Sequence, residues 1–196
     1  MLLFLNASVL HEVKAVFYDF SRHEGIRNDY IFKHKINSNQ DKMEKATFAA
    51  GCFWHVEAAF RQIKGVKSTA AGYIGGHMKN PSYEDVCTDE TGHAEAVQVE
   101  FDPKIVPYEE ILKVFWQNHD PTTINRQGPD VGTQYRSAIF YHNEKQKQAA
   151  IKSKEEQQKK YKARIETEIE KAAEFYKAEE YHQQYLEKKG LSTCGI

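Results

Sequence analysis

The alternation of apolar and polar positions divides the chain into an aperiodic opening and a longer, regular part. Ala46-Thr47-Phe48-Ala49-Ala50 is a small, mostly apolar run of the kind a buried strand presents. After Gly51 the period changes: Val56, Ala59, Phe60 and Ile63 recur at helical spacing, with Glu57, Arg61 and Gln62 between them. The pattern therefore predicts strand, glycine turn and helix, with Cys52 where the helix begins. From Gly65 a run through Thr69, Ala70, Ala71, Gly72, Tyr73 and Ile74 reads as a strand that dissolves into Gly75-Gly76. Asn80-Pro81-Ser82 starts a turn or short helix carrying Tyr83, Val86 and Cys87. Val97, Val99 and Phe101 then alternate with polar residues, which predicts a half-buried strand with Glu95 at its beginning.

Pro107 opens a helix whose Ile111, Leu112, Phe115 and Trp116 share one face. Asn118 to Gly132 holds Pro121, Gly128, Pro129 and Gly132, a long loop of a kind that often carries function. Tyr135 to Tyr141 reads as a strand, Glu144 to about Tyr161 as a highly polar helix, and Ile165 to Ile169 as a short strand or edge. Glu174 to Lys188 reads as an aromatic-rich helix, and Gly190 to Ile196 as a tail bearing Cys194. Strands and helices in mixed order predict an α+β fold, one mixed sheet with helices packed on it. Residues 1–42 lack this regularity and read as an N-terminal extension, followed by one catalytic domain over 43–196.

Composition narrows the function classes. A chain of 196 residues is one domain of ordinary size, long enough to bury a sizeable core. A net charge of −1 gives no electrostatic reason to expect a nucleic acid or an anionic membrane as partner. The basic cluster Lys159, Lys160, Lys162 and Arg164 is flanked by Glu155, Glu156 and Glu166, as on a solvated helix face. The apolar opening Met1 to Leu5 has no basic residue before it, and His11, Glu12 and Lys14 end the run early, so it is too short to span a membrane. Cys52, Cys87 and Cys194 are too few and too widely spaced for a secreted disulfide framework, and no C-x-x-C pair suggests structural zinc. A reducing cytoplasm is the expected compartment.

Cys52 is the candidate for chemistry. A thiol at a helix start feels unpaired backbone N–H groups and the positive end of the helix dipole, both of which favour the thiolate. Phe53 and Trp54 would wall one side of any pocket it faces. On its own, such a cysteine is also compatible with a small buried hydrophobe.

Seven strings decide more. GCFWHVE, AAGYIGG, NPSYEDVC, TGHAEAV, FWQNHDPTT, GTQYRSAIF and AEEYHQQYL occur in that order, and together they resemble the A-class peptide methionine sulfoxide reductases from about Lys45 to Ile196. The resemblance implies reduction of the S epimer of methionine sulfoxide, free or in proteins, with thioredoxin as reductant. It implies Cys52 as nucleophile, Glu95 as acid, Tyr83 and Tyr135 as donors to the sulfoxide oxygen, and Cys194 as the recycling thiol. Phe53 and Trp54 would hold the substrate methyl group, and Asp130 would lie in a substrate-facing loop. The fold implied is a two-layer α/β sandwich with a mixed sheet and a ferredoxin-like core. No cofactor or metal is called for, and a monomer is expected. Two departures stand out: His55 occupies a place where the family often has a smaller residue, and the chain stops two residues after Cys194, without a more distal recycling cysteine.

The residues are compatible with that chemistry on their own terms. A sulfoxide sulfur is a poor electrophile until its oxygen is protonated or strongly hydrogen-bonded, so a thiolate needs an acid and hydroxyl donors converging on one oxygen. Burial would let Glu95 hold a proton, and two phenols donate without adding charge. Cys87, between Val86 and Thr88, reads as a buried bystander. Two rivals remain at this level: a thiol peroxidase, and a metal-binding module built from Cys52, Cys87, His77, His93 and His119.

Overall fold

The computed structural model describes residues 43–191, so residues 1–42, read as an extension, and Cys194, expected as the recycling thiol, lie outside the described residues. Six strands form one mixed sheet: β1 (Glu44–Ala50), β2 (Val66–Ile74), β3 (Ala94–Phe101), β6 (Ser137–Tyr141), β7 (Glu168–Lys171) and β8 (Tyr176–Lys177). Their order across the sheet is β7-β6-β1-β3-β2-β8. Only β6 and β7 run parallel; every other neighbouring pair is antiparallel. The α+β expectation holds, and the strands placed by alternation lie where the pattern put them.

Strand period two explains the two faces. Ala46, Phe48 and Ala50 of β1, Ala71 and Tyr73 of β2, and Val97, Val99 and Phe101 of β3 enter the larger apolar cluster. That cluster includes Phe53, Val56 and Phe60 of helix α1 (Phe53–Arg61), and Ile111, Leu112, Phe115 and Trp116 of helix α3 (Tyr108–Gln117). The alternate positions Ala49, Ile74, Ala94, Ala96, Ala138 and Phe140 form a smaller cluster, against which Phe175 packs. Helix α4 (Glu144–Gln158) is mostly polar and touches the larger cluster through Ala150. Burying a large apolar side chain contributes roughly 1.5–3 kcal/mol, so Phe48, packed between the rings of Phe60 and Phe115 at 5.1 and 5.3 Å, is a principal anchor of α1 and α3 on the sheet.

Three predicted elements come out differently, the first being the short strand read over Ile165 to Ile169, which lies at Glu168–Lys171. Tyr135 precedes the strand rather than opening it: it closes a one-turn 3-10 helix, Thr133–Tyr135, and β6 starts at Ser137. The expected helix from Glu174 to Lys188 is instead strand β8, a turn, and a single helical turn α5 (Tyr185–Lys188). Its side chains are drawn into bonds with other elements. The Gln183 side-chain amide both donates to and accepts from the Ala71 backbone at 2.9 Å, and Gln184 takes a left-handed φ of 53°. Those tertiary bonds outweigh local helix propensity. Within the long loop, β4 (Arg126–Gln127) and β5 (Asp130–Val131) make a small hairpin. No helix among the described residues is long and apolar enough to cross a membrane.

Candidate active site

The turn between β1 and α1 sets the centre. Gly51 has φ 85°, and a Cβ there would meet Gln127 at 2.5 Å, so glycine is required for both conformation and space. It delivers Cys52 to the N-cap of α1, with no side-chain cap bond at that position. The first helical N–H, that of Phe53, has no partner within the helix. It donates to Glu95 Oε2 at 3.1 Å, reaching across to the second residue of β3. Sequence-distant Cys52 and Glu95 are thereby held at one helix terminus.

Glu95 is 2 % exposed. Burial pushes its carboxyl up to about 7; the Phe53 N–H opposes this and the charge of Asp130 adds to it. Tyr83 opens helix α2 (Tyr83–Cys87), and Asp130 stands in the β4–β5 hairpin. Burial, then the charges of Glu95 and Asp130, with Cys87 and Cys52 also contributing, raise the Tyr135 phenol. Tyr83 is raised by burial, by its contact with the Cys87 thiol, and by Glu95 and Tyr135. Both hydroxyls therefore keep their protons at any ordinary pH and are available to donate to an approaching oxygen. The structure brings together Cys52, Glu95, Tyr83, Tyr135 and Asp130.

Phe53 and Trp54 part company. Phe53 is 1 % exposed and packs in the core, its ring 5.9 Å from Tyr73 and 5.1 Å from His182. Trp54 is half-buried, stacked on Tyr185 at 3.9 Å and 13°. Its outer edge, with His55, Tyr185 and Leu191, borders a groove of about 690 Å³. Cys87 is exposed rather than buried, because the one-turn helix α2 ends there and turns only Val86 inward.

Three residues that spacing alone did not single out support this site, all from the segment between β8 and α5. Glu179 accepts from the Tyr83 backbone N–H at 2.9 Å and from the Tyr73 hydroxyl at 3.0 Å. Burial raises the Glu179 carboxyl, but these donors together outweigh it and hold it below the usual range. His182 accepts from the Trp54 indole N–H at 3.0 Å, and Gln183 ties the segment to β2. Their one signal in the sequence is membership in the AEEYHQQYL string. The metal alternative finds no support, since His93 and His119 each use both ring nitrogens in bonds to neighbours. Among the described residues no group of three or more His, Cys, Asp or Glu side chains stands ready for an ion.

The family model described as peptide methionine sulfoxide reductase matches residues 44–196. The chain belongs to that family. This reductase is 67% identical over 151 residues to the peptide methionine sulfoxide reductase MsrA of Methanosarcina acetivorans, covering 76% of this chain and 80% of that one. Among solved structures it resembles methionine sulfoxide reductase A of Corynebacterium diphtheriae, with TM-score 0.74 and 39% identity over 78% of each chain. It also resembles Mxr1 of Saccharomyces cerevisiae solved in complex with Trx2, with TM-score 0.54 and 32% identity, covering 74% of this reductase and 85% of that chain.

Proposed function

We propose that this reductase converts methionine S-sulfoxide, free or in proteins, to methionine, with Cys52 as nucleophile and Glu95 as acid. The Cys52 thiolate attacks the sulfoxide sulfur while Glu95 delivers a proton to the oxygen, and Tyr83 and Tyr135 hold that oxygen by donated hydrogen bonds. The new Cys52–sulfur bond and the S–O bond then both break, the protonated oxygen passing to Cys52 as a sulfenic acid while methionine leaves with the two electrons that Cys52 loses. Cys194 then condenses with the sulfenic acid, releasing water and leaving a Cys52–Cys194 disulfide. A thioredoxin-type dithiol reduces that disulfide by thiol exchange. The yeast relative captured with Trx2 supports that choice of reductant. Trp54, with the core ring of Phe53 behind it, forms the apolar side of the methyl pocket, and Asp130 faces the substrate from its hairpin.

One observation carries this reading: a fully buried carboxyl, its pKa pushed up to about 7, hydrogen-bonded to the helix terminus that Cys52 caps. A carboxylic acid still half protonated at neutral pH, beside a thiol, is suited to an electrophile that must be protonated as it is attacked. The finer reading of the fold is a two-layer α/β sandwich with a ferredoxin-like core, carried by residues 43–196, with 1–42 as an extension. We read the reductase as a cytoplasmic monomer, because thiol chemistry of this kind needs a reducing compartment. The deciding experiment supplies separated S and R epimers of a methionine sulfoxide peptide with dithiothreitol. Turnover of the S epimer alone is expected; turnover of R alone, or of neither, overturns the proposal.

A further inference from the structure

Helix α1 presents the indole N–H of Trp54 to His182, a residue 128 positions away in the sequence, with the two rings 30° from parallel. His182 is 1 % exposed and surrounded by rings: Tyr181 at 4.1 Å, Tyr83 at 4.5 Å, Phe53 at 5.1 Å and Trp54 at 5.6 Å between centroids. Its hydrogen bonding fixes its tautomer. An indole nitrogen can only donate, so Nδ1, which takes the Trp54 N–H at 3.0 Å, carries no proton, and the proton of the neutral ring sits on Nε2. That Nε2 has no hydrogen-bond partner among the described residues, and the nearest carboxylate oxygen, Glu179 Oε2, is 4.0 Å away.

A buried polar group left without a partner is costly. An apolar side chain at this place would bury as well among four rings without that cost. The feature an apolar side chain could not supply is the acceptor that meets the indole. Glu179, three residues earlier, holds the Tyr83 backbone in the same stretch of chain. One short segment thus sets the orientation of both an apolar wall and a hydroxyl-bearing wall.

We propose that His182 is a positioning residue for substrate binding: by accepting from the indole N–H it fixes the plane of Trp54, and so the shape of the pocket that receives the methyl group of the sulfoxide. This rests on the reading of Trp54 as a pocket wall given above. It places on His182 no role in proton transfer.

The test uses the full chain, with His182→Leu, which removes the acceptor, and His182→Asn, whose side-chain oxygen can replace Nδ1. Single-turnover reduction of a methionine S-sulfoxide peptide is followed with increasing peptide, and Trp54 emission is read in a Trp116→Phe background. His182→Leu is expected to raise the half-saturating peptide concentration about tenfold, with the maximal rate changed less than about threefold, and to shift Trp54 emission to the blue. His182→Asn is expected to restore both within about threefold of the parent. Equal behaviour of Leu and Asn, or a parent-like half-saturation in Leu, overturns the proposal. Should His182→Leu fail to fold, Trp54→Phe, which keeps a ring and deletes the donor, must give the same rise in half-saturation; an unchanged value overturns it. A parent chain that reduces no sulfoxide would instead overturn the functional reading, while the emission comparison would still report on the bond.

Discussion

At Glu95 the loss of water and the Phe53 N–H act against each other, and the carboxyl settles at about 7 against 4.5 in an unfolded chain. The group is therefore protonated below that value in the native state, and the single-turnover reduction rate should fall about tenfold per pH unit above it. Glu95→Gln keeps an acceptor for the Phe53 N–H but has no proton to give. It should slow single-turnover reduction by roughly 10² to 10⁴-fold and abolish that alkaline limb. The same shift has a stability consequence. The raised pKa means that the contribution of Glu95 is fully present below about 4.5 and is lost as pH rises through about 7. With both states ionised the native fold is then ~3 kcal/mol less stable. Denaturant melts should accordingly find Glu95→Gln more stable than the parent at pH 8 and level with it near pH 4; an equal gap at both would contradict the assignment. For the thiols, Cys52→Ser should form no methionine, whereas Cys194→Ser should form one methionine per chain and then stop with thioredoxin. An unchanged thioredoxin-linked rate in Cys194→Ser would reject its recycling role.

Among the elements, the segment from β8 to α5 does the most positioning and was the least legible. Phe175, Tyr176, Tyr181 and Tyr185 suggest helical recurrence, yet the bonds that fix this stretch go to β2, α1 and α2, and no local pattern encodes them. Glu57 shows the same limit: it looks like a solvated helix residue, but it is 1 % exposed and accepts from Thr69 and from the backbone N–H of Gln184. By contrast β1, β2, β3 and α3 could be read directly, since burial on a sheet or helix face writes its own period into the sequence. Cys52 was legible as a thiol at a helix start, and Glu95 as a residue at a strand start. That they meet is a property of the antiparallel pairing of β1 and β3, which brings the end of one strand beside the start of the other, and of the Phe53 N–H that closes the gap. The dependence on β8 can be tested at Gly72, where a Cβ would meet the Tyr176 backbone oxygen at 2.3 Å. Backbone cannot yield as a flexible side chain can, so Gly72→Ala should lift β8 away, destabilise the fold by about 2 kcal/mol in a denaturant melt, and lower activity with it. A parent-like melt would show that β8 adapts.

At the scale of the whole molecule, the match to the family and the regular sequence pattern both begin near Met43. A chain starting at Met43 should therefore reduce the S-sulfoxide peptide within about twofold of the full chain and melt within a few degrees of it. A large loss in either would assign residues 1–42 a part in the reductase. The sheet meanwhile ends differently on its two sides. Strand β7 carries Glu168, Glu170 and Lys171, charges that discourage a visiting strand. On the other side β2 is covered by the two-residue β8, which pairs with Gly72 and Tyr73. Anything that detaches the positioning segment would therefore also bare a row of unpaired backbone amides and carbonyls on a β-rich, largely apolar strand. Variants damaged there would be lost to aggregation as well as to inactivity, so reductase activity would fall together with the amount of folded chain that carries it.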